Sequence, residues 1–164
     1  MIRAVLFDWG NTLMRDLPGM HGPMAYWPRV EVLPGAAAML AALRERGLGT
    51  ALATNAADSD VALIRVALAR GGLADFLDHI VCAGELGITK PDPAFFHAAL
   101  ARLGVVPVEA VMVGDSWTVD VQGARAAGLR AVWLAPPGTP RRSGAGVHTI
   151  HGLAELPVWL HGLG

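Results

Sequence analysis

Three apolar runs in this chain end in residues that could handle a phosphoryl group or a hard metal ion: Phe7-Asp8, Ala53-Thr54-Asn55 and Val113-Gly114-Asp115-Ser116. Lys90, after a turn at Gly87 and before Pro91, adds a cation. Two carboxylates, a hydroxyl and an ammonium form an oxygen-rich set suited to Mg2+, which typically takes one or two carboxylates and keeps waters and phosphate oxygens. Each residue alone has an ordinary explanation. An aspartate ending a strand is commonly a turn or capping residue, a lysine before proline a solvated loop residue, and Thr54-Asn55 a local partner for backbone groups. Asp58 and Asp60 read as the acidic start of a helix, favoured by its dipole, with Asp58 as its cap.

Converging those residues requires elements that end on one edge. Residues 2–8 form a near-continuous apolar run, the pattern of a strand buried on both faces. Gly10, Pro18, Gly19, Gly22, Pro23 and Pro28 then punctuate a loop. Pro34-Gly35 opens a helix with Ala36, Met39, Leu40 and Leu43 on one face, and Gly47 stops it. Further strands are expected at 50–54, 80–82, 111–113 and 131–134, with helices at about 59–70, 93–103 and 117–127. Val61, Ile64 and Leu68 share a face of the first of these helices, and Phe96, Ala99, Leu100 and Leu103 face inward from the second. A Gly/Pro-rich loop at 136–146 precedes an edge strand at 147–150 and a final helix at 153–160, whose continuity Pro157 argues against. Such alternation predicts an α/β fold of three layers, Rossmann-like, with a parallel sheet and helices on both faces. Ligands of these folds sit beyond the carboxyl ends of the strands, where Asp8, Thr54 and Asp115 fall.

The 164 residues suit one domain spanning 1–164. With 53% hydrophobic and 16% charged residues the chain should be globular, and its formal net charge of -1 indicates neither nucleic acid nor a membrane surface as partner. Cys82 is the only cysteine, which excludes an intramolecular disulfide and a thiolate metal site. No signal-peptide pattern or membrane-span run is read, so a cytoplasmic location is expected.

The motifs together resemble the haloacid dehalogenase-like superfamily over roughly residues 2–135. Phe7-Asp8-Trp9-Gly10-Asn11-Thr12-Leu13 is similar to its first motif and Ala53-Thr54-Asn55 to its second. Residues 87–93, from Gly87 through Lys90-Pro91-Asp92, resemble the third, and residues 113–128, from Val113 through Gly114-Asp115-Ser116 and Asp120 to Gly128, the fourth. The resemblance implies a Mg2+-dependent phosphatase acting through an aspartyl-phosphate on Asp8. Thr54, Asn55 and Lys90 would then hold phosphoryl oxygens, and Lys90 would also steady the nucleophile. Asp8, the backbone carbonyl of Gly10 and Asp115 would hold Mg2+, with Asp120 and Ser116 supporting from behind. Transfer of this kind is mostly positioning and charge neutralisation.

Two departures matter. Phosphatases of this type usually carry a second aspartate two residues after the nucleophile, as general acid and base, and here that position is Gly10. Loss of a positioned acid/base typically costs ~10²–10⁴ in rate. Asp16 and His21 are the nearest replacements, with His21 more simply a surface loop residue. Gly10 also keeps two alternatives open: a binding or regulatory protein without turnover, and a dehalogenase-type hydrolase, although Gly114-Asp115-Ser116 is the metal-binding version of the fourth motif. Second, a loop insert at about 14–33 stands where a cap domain would be, and there is no room for one between Thr54 and Lys90. A bare site implies either a larger phosphoester substrate or closure by a second copy of the chain. Met20, Met24, Tyr26 and Trp27 would line its entrance, make a subunit contact, or pack the loop on itself. A dinucleotide fold is disfavoured because Gly47-Leu48-Gly49 precedes a strand rather than following one.

Overall fold

The computed structural model describes residues 1–163. Six strands form one all-parallel sheet: β1 (Ala4–Phe7), β2 (Gly49–Thr54), β3 (His79–Cys82), β4 (Ala110–Gly114), β5 (Arg130–Leu134) and β6 (Val147–Ile150), in the order β3-β2-β1-β4-β5-β6. The helices are α1 (Ala36–Glu45), α2 (Val61–Arg70), the short α3 (Ala83–Leu86), α4 (Pro93–Leu103), α5 (Gly123–Ala126) and α6 (Glu155–His161).

The period of two along each strand sorts the core into two layers. Val5 and Phe7, with Leu52, Val111 and Val113, face the residues of α1, α2 and α6. Leu6, Ala53, Val81 and Met112 face Phe95, Phe96 and Ala99 of α4 and Ala124 of α5. All four residues of β1 are buried, which is why its sequence is apolar without alternation. Truncating the fully buried Phe7 to alanine is expected to cost about 3–5 kcal/mol.

Strand order reverses at β1, with β2 on one side and β4 on the other. Phe7 pairs in register with both Leu52 and Val113, so the residues that follow these strands share a crevice at the switch point.

Local chemistry explains where the elements begin. Asp60, not Asp58, caps α2: its carboxylate accepts from the Leu63 N–H at 2.8 Å. Asp92 caps α4 through the Ala94 N–H at 2.9 Å, and Pro93 occupies the first turn. Pro157 lies in the first turn of α6, where a missing N–H costs no intrahelical bond, so the helix runs on to His161. The helix expected at 117–127 departs from a regular α form. Trp117–Gln122 is a π-helical turn, with the Val121 N–H donating to the Ser116 carbonyl, and only then does α5 begin.

The segment between β1 and α1 carries one 3-10 turn, Met24–Tyr26. Trp27 donates its indole N–H to the carbonyls of His21 and Gly22 at 3.2 and 3.0 Å, and Arg70 of α2 ties down the Met24 and Ala25 carbonyls. Met24 and Trp27 are buried while Tyr26 is exposed. No helix among the described residues is long and apolar enough to cross a membrane.

Candidate active site

Asp8 leaves β1 directly into the crevice, held there by its N–H donating to the Val113 carbonyl at 2.9 Å. Its Oδ1 accepts from Lys90 Nζ at 3.0 Å. The Thr12 hydroxyl, itself fully buried, lies 3.2 Å from Asp8 Oδ2 and 3.4 Å from Asp115 Oδ1. One carboxylate oxygen each from Asp8, Asp115 and Asp120 falls within 4.8 Å of the others. The carboxylates of residues 8 and 115 therefore do meet at the sheet edge.

Lys90 is buried, and its Nζ also donates to Asp120 Oδ1 at 2.7 Å. The other Asp120 oxygen accepts from the Ser116 N–H at 3.0 Å, and the Ser116 hydroxyl accepts from the Val119 N–H at 3.2 Å. Both Asp120 oxygens are thus engaged by the protein, and Ser116 serves as the N-cap of the π-turn that presents it. The close approach depends on Gly114, where a Cβ would lie 2.2 Å from Asp120 Oδ2. Gly123 permits a second close approach just beyond the π-turn, since a Cβ there would come within 2.8 Å of Pro91 and 2.9 Å of Phe96.

Thr54 ends β2 facing the same crevice. Its Oγ1 accepts from the Ala56 N–H at 3.1 Å, which leaves the hydroxyl proton for an incoming acceptor. The Asn55 side chain is used differently from expectation: its Oδ1 accepts from the Lys90 N–H at 2.8 Å and its Nδ2 donates to the Lys90 carbonyl at 2.9 Å. This amide clamps the lysine backbone instead of pointing both ends at a ligand.

Three carboxylates against one ammonium leave the cluster short of positive charge. Burial, with the neighbouring Asp8 and Asp120 carboxylates, pushes the Asp115 carboxyl up to about 7. Burial likewise raises Asp120, against the lowering pull of Lys90. Among the described residues no hydrogen bond ends on the Gly10 carbonyl. Carboxylate oxygens held this close at electrostatic cost could hold a metal ion, and hard divalent cations take oxygen ligands of this kind.

Asp8, Thr54, Asn55 and Asp115 open onto a cavity of about 370 Å³ whose wall also includes Gly10, Asp16, Met24, Trp27 and Asp58. His21 is not among its lining residues. Several contributors were not evident from the sequence. Thr12 stands inside the first motif, which by itself implies no role for it. Asp58, expected at a helix start, faces the cavity. Trp133 steadies the loop after β4 by donating its indole N–H to the Asp115 carbonyl at 3.0 Å. None of these lies at a strand end, and the motif resemblance assigns none of them a role.

Known proteins give the same architecture. A family model described as haloacid dehalogenase-like hydrolase matches residues 20–128, a span that takes in Thr54, Lys90, Asp115 and Asp120. The chain belongs to this family. It is 48% identical over 106 residues to a phosphoserine phosphatase of Thermus thermophilus, a match covering 65% of this chain and 41% of that protein. It superposes with a TM-score of 0.86 and 30% identity on an uncharacterized protein from Listeria monocytogenes serotype 4b, covering 99% of this chain and 98% of the other. A phosphatase of the family from Thermococcus onnurineus follows at TM-score 0.80 and 25% identity, with 98% of this chain and 99% of that one covered. The first curated relatives are matched over less than half of their own length, 41% and 46% for two of them.

Proposed function

We propose that the protein is a Mg2+-dependent phosphatase acting on phosphate monoesters through an aspartyl-phosphate on Asp8. The observation that carries this reading is the Asp8 carboxylate, held at 3.0 Å by a buried lysine and within 4.8 Å of two further carboxylates at the switch point of the sheet. The phosphatase named among the relatives supports it, as does the phosphatase among the solved structures.

In this reading Asp8 Oδ attacks phosphorus as the bond to the leaving oxygen breaks, and water then cleaves the acyl phosphate to return the carboxylate. Lys90 Nζ, aimed by Asn55 and Asp120, draws charge from the phosphoryl oxygens and orients Asp8. The Thr54 hydroxyl donates its free proton to another phosphoryl oxygen. Asp8, Asp115 and the Gly10 carbonyl would hold Mg2+, which when bound neutralises the oxygens of the phosphoryl group. The chain is read as one domain over 1–164, with the segment at 14–33 as a wall of the site in place of a cap.

Gly10 favours one rival, a binding protein that keeps the fold without turnover. A panel of phosphate monoesters assayed with Mg2+ and with EDTA, using Asp8→Asn as control, separates the two. Mg2+-dependent phosphate release lost in the control supports the enzyme. Absence of release across the panel, or equal release by the control, sinks it.

A further inference from the structure

An alkyl phosphate leaves as an alkoxide unless a proton reaches its oxygen, and residue 10 has no side chain to supply one. The cavity wall offers four carboxyls: Asp8, Asp16, Asp58 and Asp115. Asp8 and Asp115 are committed to the lysine, Thr12 and the cation site. Asp58 accepts from the adjacent Ser59 hydroxyl at 3.1 Å. Among the described residues no hydrogen bond or ion pair ends on the Asp16 carboxylate, although its backbone is fixed: the Asp16 N–H donates to Asn11 Oδ1 at 3.0 Å. Asn11 adopts a left-handed φ of 58°, which the short polar side chain of asparagine tolerates.

That carboxylate sits directly over Gly10. A Cβ built on Gly10 would meet Asp16 Oδ2 at 3.0 Å, its carboxyl carbon at 3.2 Å and Oδ1 at 3.5 Å, and these are its three nearest neighbours. The Asp16 carboxyl thus occupies the space into which a side chain at residue 10 would grow. Gly10 lacks the positive φ that would itself demand glycine, so what its missing side chain leaves room for is Asp16.

We propose that Asp16 is the general acid and base of the reaction, delivered to the site from farther along the same loop, and that Gly10 is small to admit it. This rests on the phosphatase reading above. In the first step Asp8 Oδ forms a bond to phosphorus, the bond to the ester oxygen breaks, and the Asp16 carboxyl gives that oxygen its proton. In the second, the Asp16 carboxylate takes a proton from water as the water oxygen bonds to phosphorus and the bond to Asp8 breaks. Inorganic phosphate, the alcohol and both starting carboxyl states result.

The test compares two esters, β-glycerol phosphate and p-nitrophenyl phosphate, with the unchanged enzyme, Asp16→Asn, and the exchange variant Gly10→Asp/Asp16→Gly. Asp16→Asn should slow β-glycerol phosphate by ~10²–10⁴-fold, the ordinary worth of a positioned acid/base. With p-nitrophenyl phosphate, whose leaving group needs no proton, it should give a burst of one nitrophenolate per active Asp8 followed by slow turnover, because the second step still lacks its base. The exchange variant should recover steady hydrolysis of both esters. Unchanged rates in Asp16→Asn overturn the proposal and leave the phosphatase reading intact. A slowed Asp16→Asn without a burst, or an exchange variant that stays slow while folded, also overturns it, because Asp16 would then be acting through structure. If the unchanged enzyme releases phosphate from neither ester and Asp8 is never phosphorylated, the phosphatase reading fails and this proposal falls with it.

Discussion

Lys90 and Asp120 form an ion pair at 2.7 Å in which each side chain is only 1% exposed. Such a pair is weak evidence for stability in itself, because desolvation offsets much of the attraction, but removing one partner strands the other. Lys90 is the only ammonium against three carboxylates here, so Lys90→Met should be the more damaging substitution. A loss of about 3–5 kcal/mol is expected for the metal-free protein, read by urea denaturation, together with loss of the proposed phosphatase activity. Mg2+ should recover some of the stability, since a cation would then face the carboxylates that the lysine no longer neutralises. Equal destabilisation with and without Mg2+ would argue that the acids do not share a metal.

The approach of Asp120 to the strand end yields a second prediction. At Gly114 a Cβ would lie 2.2 Å from Asp120 Oδ2 and 2.3 Å from its carboxyl carbon, and the π-turn that carries Asp120 is capped by Ser116. Gly114→Ala should therefore push Asp120 off Lys90 and destabilise by about 1–3 kcal/mol, the usual cost of overpacking. Activity should fall well beyond what that loss of stability explains. Gly47→Ala is a poor control because Gly47 has φ 70°; Gly152, with nothing within 4 Å of its Cβ position, is the better one. A Gly114→Ala enzyme with normal activity would mean that the Lys90–Asp120 contact is dispensable.

How much of this was readable in advance follows from what each feature depends on. Asp8, Thr54 and Asp115 could be placed together because parallel strands end on one edge and apolar runs mark the strands. Lys90 needed the motif as well, since nothing local says that a lysine before a proline turns inward. The Asn55 clamp was missed because it joins residues 55 and 90, and no local pattern reports a side-chain bond to a distant backbone. Asp60 displaced Asp58 as the cap of α2 because the two acids flank one serine and either could cap; only the turn geometry decides. The π-turn was unreadable for a similar reason, as Trp117–Gln122 has ordinary helical periodicity. Pro157 misled in the other direction, because a proline ends a helix only beyond its first turn.

The clamp itself is open to test. Asn55→Ala removes two hydrogen bonds to the Lys90 backbone, at 2.8 and 2.9 Å, and leaves both backbone groups to water or to nothing. A stability loss of about 1–3 kcal/mol is expected. The catalytic effect should be larger on kcat than on KM, because in the proposed mechanism the lysine that would be mispositioned steadies the nucleophile and the charge that develops in the transition state. An effect confined to KM would instead support a direct contact between Asn55 and the phosphoryl group.

Proton and metal should compete at Asp115. The folded, metal-free chain keeps a proton on this carboxyl up to about 7, whereas the ordinary value that applies to the unfolded chain is 3.8. Folding therefore takes up a proton between those values, so this group makes the metal-free protein less stable as pH rises through that window, and its contribution levels off above about 7. A bound cation reverses the sign, because it selects the carboxylate. Mg2+ affinity should rise about tenfold per pH unit below 7 and flatten above it. Melting temperatures with and without Mg2+ would show this as a larger metal-induced increase at pH 8 than at pH 6. Titration calorimetry in buffers of different ionisation enthalpy would detect proton release at pH 6 and almost none at pH 8. A metal-induced shift of equal size at both pH values would place the cation somewhere other than beside Asp115.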